Sequence, residues 1–302
     1  MKFLRHLFSG MALCVAMVGT GGMALAAEKQ CSDCHGDDET VLPMFQTKHG
    51  TQTDSRAPSC MSCHGESQAH KKAPSRAKPD RTFDKKTETS VADRNDACQS
   101  CHAKDSQRSH WSGSAHDTRE LACNTCHRVH SGKDKVRDKQ TQAEFCYSCH
   151  KEQRAQLNKP SHHPVPEGKM TCSDCHNVHG SVGPKLMKRD SVVETCYTCH
   201  LEKRGPFVHN HEPVQDDCGN CHNPHGTTVE SMLKMRPPFL CQSCHTPHAA
   251  LQPQLKTSPV TPGNTVAGWT GNTILQGRSC LNCHTQVHGS NNPTTTPQFQ
   301  FR

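Results

Sequence analysis

The sequence predicts a mostly irregular chain of short α-helices with little or no β-structure, drawn out as an elongated array of five similar units. Three observations predict it. Ten copies of Cys-x-x-Cys-His, begun at intervals of 22 to 39 residues, use twenty of the twenty-one cysteines. The sequence between them is too polar for an ordinary core: hydrophobic residues are 32% and aromatic residues 4%, a composition that cannot offset conformational entropy by apolar burial. Finally the chain repeats itself with motif starts 48 and 50 residues apart. Cys146-Tyr147-Ser148-Cys149-His150 returns as Cys196-Tyr197-Thr198-Cys199-His200, and Cys172-Ser-Asp-Cys-His-Asn-Val-His-Gly as Cys218-Gly-Asn-Cys-His-Asn-Pro-His-Gly. Repeats of this period stack neighbour on neighbour in a quasi-one-dimensional array.

Cys-x-x-Cys-His is the attachment signature of c-type haem. On one helical turn, side chains at i, i+3 and i+4 share a face, so two thiols capture the porphyrin vinyls while the imidazole reaches the iron. Paired Cys-x-x-Cys motifs can also build four-thiolate zinc sites or a disulfide scaffold. Neither needs a histidine at the fifth position, and here a histidine follows all ten pairs. The fold class is therefore a multihaem cytochrome c, with short helices wrapped around ten haems that supply the missing apolar surface. About 28 residues per haem leave space for little else.

In chain order, residues 1–26 read as an export signal: Lys2 and Arg5, an apolar stretch from Leu7 to Val18, and a cleavage site at Ala24-Leu25-Ala26. Cys14, the odd cysteine, leaves with it. The apolar stretch is short for an uncleaved membrane anchor, which needs about 20 residues. The expected product is an exported decahaem domain over 27–302, in a compartment such as the bacterial periplasm.

Numbering the motifs one to ten, the five dihaem units cover approximately 31–97, 98–145, 146–195, 196–240 and 241–290. The first holds Cys31, Cys34 and His35, then Cys60, Cys63 and His64, with His49 and His70 between and after them. The second holds Cys98, Cys101, His102, Cys123, Cys126 and His127, with His116 and His130. The third holds Cys146, Cys149, His150, Cys172, Cys175 and His176, with His163 and His179. The fourth holds Cys196, Cys199, His200, Cys218, Cys221 and His222, with His211 and His225. The fifth holds Cys241, Cys244, His245, Cys280, Cys283 and His284, with His248 and His288. Residues 71–97 and 249–279 carry no motif and read as linkers or surface loops, with partner contact as the alternative. Residues 291–302 read as a flexible tail.

The ten motif histidines are proximal ligands. The second histidines of each unit, one per motif, supply ten distal ligands, so every iron is bis-His and no position is open for substrate. His110, His162 and His209 are left over, although His162 can exchange roles with His163 and His209 with His211. In Cys-x-x-Cys-His-x-x-His the second imidazole, one turn away, cannot pass around its own porphyrin and is expected on a neighbouring iron. Six methionines outside the signal are irregularly placed and read as non-ligands.

The formal charge of +7 misleads. It falls by two with the signal, and two propionates on each ferric haem carry the total to about −5. Nucleic-acid binding is not suggested.

The run from His163 through Met170 to Gly180, Glu202-Lys203-Arg204-Gly205-Pro206, Cys218 through Gly226, and Gly277 through Ser290 resemble the exported decahaem cytochromes of the MtrA, DmsE and PioA type. The resemblance implies an electron-transfer protein, not an enzyme. It implies a haem wire inserted in an outer-membrane β-barrel, carrying electrons between periplasm and cell exterior, with the haem of Cys280 and Cys283 toward the outside. Implied partners are the barrel, a periplasmic or inner-membrane c-type cytochrome, and an outer-surface multihaem cytochrome or extracellular metal ions and minerals. The chemistry served is iron(II) oxidation or iron(III) or manganese(IV) reduction. The chain departs from the family in a short N-terminus before the first motif and a shortened segment from His245 to His248. Alternatives are a donor to an outer-surface dimethyl sulfoxide reductase, a freely diffusing periplasmic carrier, and a multihaem nitrite reductase, which needs an open or lysine-ligated haem.

Overall fold

The structure is a computed structural model that describes residues 30–51, 53–245, 280–282 and 284–291. The expected signal, the 249–279 loop, Cys283, His248 and the tail beyond residue 291 lie outside the described residues. Among the described residues there is no strand, only short helices and isolated bridges. The longest helix, Val91–His102, has 12 residues.

Each motif makes or ends a helical turn. The histidine N–H donates to the carbonyl of the first cysteine at 3.0 Å in His35, His150, His176, His200 and His222, and at 2.9 Å in His127. That hydrogen bond closes the turn that puts two sulfurs and one imidazole on the same side. The residue before the motif often caps it. Ser59 accepts from Ser62 N–H, and Thr171 and Asp174 form a reciprocal capping box around Cys172–Cys175. Such caps satisfy N–H groups that a four-residue helix cannot satisfy itself.

Little apolar packing supports these turns. Among the described residues the buried apolar side chains are Ala122, Tyr147, Leu157, Val165, Met187, Val193 and Tyr197. Tyr147, Leu157 and Val165 form one small cluster, with Ala143, Met170 and Cys172 against it.

Backbone straps connect the turns. After the sixth and eighth motifs the chain folds back, pairing His176 with Met187 and His222 with Leu233. Two further bridges join sequence-distant segments, Ser161 with Thr227 and His209 with Ser290. The repeated His-Gly after these motifs has a steric cause. At Gly180 (φ 110°) and Gly226 (φ 135°) a Cβ would collide with the carbonyls of His110 and Gln156 respectively. Gly226→Ala is expected to cost about 2–4 kcal/mol through backbone strain and overlap. Thermal unfolding of the haem-loaded protein checks it, and an unchanged Tm would refute the close approach.

Candidate haem-binding site

The sulfurs are arranged in alternation. First cysteines face each other as Cys31 with Cys60, Cys98 with Cys123, Cys146 with Cys172, Cys196 with Cys218, and Cys241 with Cys280. Second cysteines then approach across the next interval, Cys63 with Cys101, Cys126 with Cys149, Cys175 with Cys199, and Cys221 with Cys244. The motifs therefore follow one another in space in the order in which they occur in the chain. In the free-thiol chain, hydrogen bonding between first sulfurs pushes Cys98, Cys146 and Cys196 up and draws Cys123, Cys172 and Cys218 down. Among the described residues no group of three or more His, Cys, Asp or Glu converges as a metal cluster.

The histidines pair too. Ring centroids lie 6.1 Å apart in His35–His70, 6.0 Å in His49–His102, 5.9 Å in His64–His130 and 6.2 Å in His116–His150. The spacing is 5.9 Å in His127–His179, 6.2 Å in His163–His200 and in His176–His225, 6.0 Å in His211–His245 and 6.1 Å in His222–His288. Each pair joins one motif histidine to one of the other expected ligands. Two imidazoles on opposite sides of one metal, each with a metal–nitrogen distance of about 2.0–2.1 Å and a ring radius of roughly 1.1 Å, have centroids about 6.2 Å apart. The pairs fit that spacing.

Hydrogen bonds orient the rings. Nδ1 donates to a backbone carbonyl from His64 (Arg81, 2.9 Å), His70 (Ala77, 2.8 Å), His116 (Val178, 2.8 Å) and His163 (Pro224, 2.7 Å). The same holds for His176 (Lys185, 2.9 Å), His211 (Val287, 3.1 Å) and His222 (Ser231, 2.8 Å). With the proton on Nδ1, Nε2 keeps its lone pair toward the partner ring. Lys185 and Ser231 adopt left-handed φ of 54° and 57° in the turns that bring their carbonyls to these rings. Burial favours the neutral, ligating form: it pushes His130, His176, His225 and His288 down, and His179, also beside His127 and Arg108, down to about 4.

Of the left-over histidines, His162 has its ring held elsewhere. His162 uses both nitrogens, Nδ1 on the Lys159 carbonyl and Nε2 on Glu167 at 3.0 Å. Glu167 raises His162, and His162 in turn lowers Glu167. Whatever stability this pair gives is complete below the ordinary histidine range and lost as pH rises through the raised value. At the acid end it is lost as pH falls through the lowered value of Glu167. His209 exchanges backbone hydrogen bonds with Ser290, at 2.9 and 3.0 Å, and His110 is exposed, its carbonyl against Gly180.

Among the described residues, three buried side-chain polar atoms have no hydrogen-bond partner: Arg108 Nε, Trp111 Nε1 and Tyr147 Oη. Trp111 lies 6.3 Å from the ring of His179. Nitrogen donors left over beside a histidine pair suit the carboxylates of a haem. The sequence alone did not expose this Arg108–Trp111 segment, nor the contact of His127 Nδ1 with Asp134 Oδ2 at 2.7 Å.

Turns carrying two thiols and an imidazole, repeated with rings paired across a metal-sized gap, define a multihaem c-type cytochrome. Comparison with known proteins agrees. The family described as the doubled CXXCH motif matches residues 162–205 and 211–255, and that of the cytochrome c-type protein NrfB-like matches 60–141. The chain is 44% identical over 270 residues to the multihaem cytochrome MtrA of Shewanella baltica, covering 87% of this chain and 78% of that protein. It is 31% identical over 147 residues to the cytochrome c-type protein NrfB of Haemophilus influenzae, covering 41% of this chain and 65% of that one. The chain belongs to the MtrA family of multihaem cytochromes, electron-transfer proteins with covalently bound c-type haems.

Proposed function

We propose that this chain is a decahaem wire that carries electrons across the outer membrane inside a β-barrel partner, linking periplasmic carriers to metal chemistry outside the cell. The histidine pairs at 5.9 to 6.2 Å are the observation that carries the reading. Bound haem supplies one-electron chemistry between iron(III) and iron(II). The chain's residues hold and orient it. His35, His64, His102, His127, His150, His176, His200, His222, His245 and His284 are the proximal ligands. Their distal partners, in that order, are His70, His130, His49, His179, His116, His225, His163, His288, His211 and His248.

The last assignment follows from symmetry. Each junction between the expected units is crossed by two histidine pairs, one reaching forward and one backward. The first unit closes its remaining iron internally through His35 and His70, and the same closure in the fifth gives His248 to His284. With both axial positions taken, no iron is left open for a substrate, and the chain moves electrons in motif order. As for place and partners, export to the periplasm, a barrel sheath and a soluble or inner-membrane cytochrome donor accord with membership of the MtrA family and with the signal-like N-terminus. An outer-surface cytochrome or mineral is the matching acceptor.

Reconstitution tests the proposal. Vesicles loaded with reduced dye and carrying this cytochrome in its barrel partner are expected to oxidise the dye when iron(III) is added outside, only when both proteins are present. Failure to form a barrel complex would replace the conduit with a diffusing carrier. Haem content is expected to be ten per chain. Ligand assignment has its own check: His163→Ala converts one haem to high spin, whereas His162→Ala leaves the spectrum unchanged. The opposite result would exchange their roles.

A further inference from the structure

In the second, sixth and eighth motifs Nδ1 of the motif histidine is treated alike, and the fourth motif departs from them. His64, His176 and His222 each donate to a backbone carbonyl, at 2.9, 2.9 and 2.8 Å. At the equivalent place His127 meets a carboxylate, Asp134 Oδ2, at 2.7 Å. Asp134 is well placed to matter. Its side chain is 21% exposed, and its other oxygen accepts the Val136 N–H at 3.4 Å. Carboxylates also lie near the proximal rings of His35, beside Asp38, and His200, beside Glu202. Both lie at 3.6 Å, beyond hydrogen-bond length, with all four side chains at least 37% exposed.

A carboxylate accepting from Nδ1–H pulls that proton more strongly than a carbonyl does and gives the ring imidazolate character. A more basic ligand stabilises iron(III) over iron(II), and so does the negative charge itself. Both effects have the same sign. On the distal side, Arg108 and Asp105 are both close enough to His179 to act on its charge, but their 2.8 Å ion pair largely cancels there.

We propose that Asp134 is a positioning residue that lowers the reduction potential of the iron held by His127. The haem attached at Cys123 and Cys126 is then harder to reduce than its counterparts at Cys60, Cys172 and Cys218. The proposal rests on the bis-imidazole reading. One electron passes from a neighbouring haem to iron(III), with no bond made or broken and no proton transferred. The consequence is that, of the four haems so compared, the one at Cys123 and Cys126 has the lowest potential and is the hardest for an electron to enter.

Potentiometric titration of the full ten-haem protein, followed optically and by paramagnetic resonance, tests this. In Asp134→Asn one-tenth of the haem absorbance is expected to move to higher potential by at least tenfold in its reduction constant, about 59 mV for one electron. Asp134→Ser shifts the same way should the asparagine variant fail to load haem, and Asp134→Glu retains the low potential. Asp138→Asn, a nearby carboxylate that caps Gln140, leaves the curve unmoved. A fully low-spin asparagine or serine variant whose titration superimposes on the original overturns the proposal while leaving the bis-imidazole reading intact. A high-spin haem in the unaltered protein, assigned to this iron by its loss in Cys123→Ala/Cys126→Ala, overturns both.

Discussion

A chain produced without haem attachment is expected to show no cooperative unfolding transition and to be cut rapidly by protease throughout 30–245. The reason lies in what is buried. The buried apolar side chains among the described residues number seven. The six larger than alanine contribute about 1.5–3 kcal/mol each, whereas every ordered residue costs about 1–2 kcal/mol of backbone entropy. The turns around the motifs are four or five residues long in most cases, far below the length at which a helix persists alone. Haem faces must replace the missing core. Circular dichroism of the haem-free chain and of the loaded protein checks this. A haem-free form with a sharp melt and native helix content would mean that the polypeptide carries its own core.

The second large effect is expected from His225→Ala. One haem in ten, that at Cys172 and Cys175, should become five-coordinate and high spin, because His225 faces His176 at 6.2 Å. Added imidazole should restore the low-spin spectrum. The haem-to-chain ratio should stay at ten, since both thioethers and the proximal ring remain. A variant that stays wholly low spin without added ligand would remove His225 from its assigned place, and a variant lacking one haem would show that this ring is needed for attachment.

Much of this architecture was legible in the residues. Ten motifs and the intervening polarity predict short helices without a core, and the structure has them. The helical turn expected from the i, i+3, i+4 spacing is closed by the histidine N–H bonds. In Cys-x-x-Cys-His-x-x-His over residues 172–179 the second imidazole, His179, lies against the ring of His127 and not that of His176. Which histidine faces which was not legible. His64 and His130 are 66 residues apart in the numbering, and nothing local distinguishes a forward link from a backward one. The choice between His162 and His163 turns on hydrogen bonds. Glu167, five residues after His162, was a visible signal for it, since a ring held at both nitrogens has none to offer a metal. Asp134 was hidden for a different reason. At His64, His176 and His222 its place is taken by backbone carbonyls, and a carbonyl leaves no trace in the identity of the residue that bears it.

The crossed histidine pairs have a consequence for how such a molecule can change length. Between any two consecutive units, one ring reaches forward and one backward: His163 to His200 and His176 to His225 at the third junction, His211 to His245 and His222 to His288 at the fourth. Severing the chain at a junction strands one ring and leaves one ring without its mate on each side. Inserting or deleting a whole unit restores every pairing, because each junction offers the same two rings and asks for the same two. Growth is therefore quantised. A chain of this design lengthens or shortens by two motifs at a time, which on the proposed ligation is two irons.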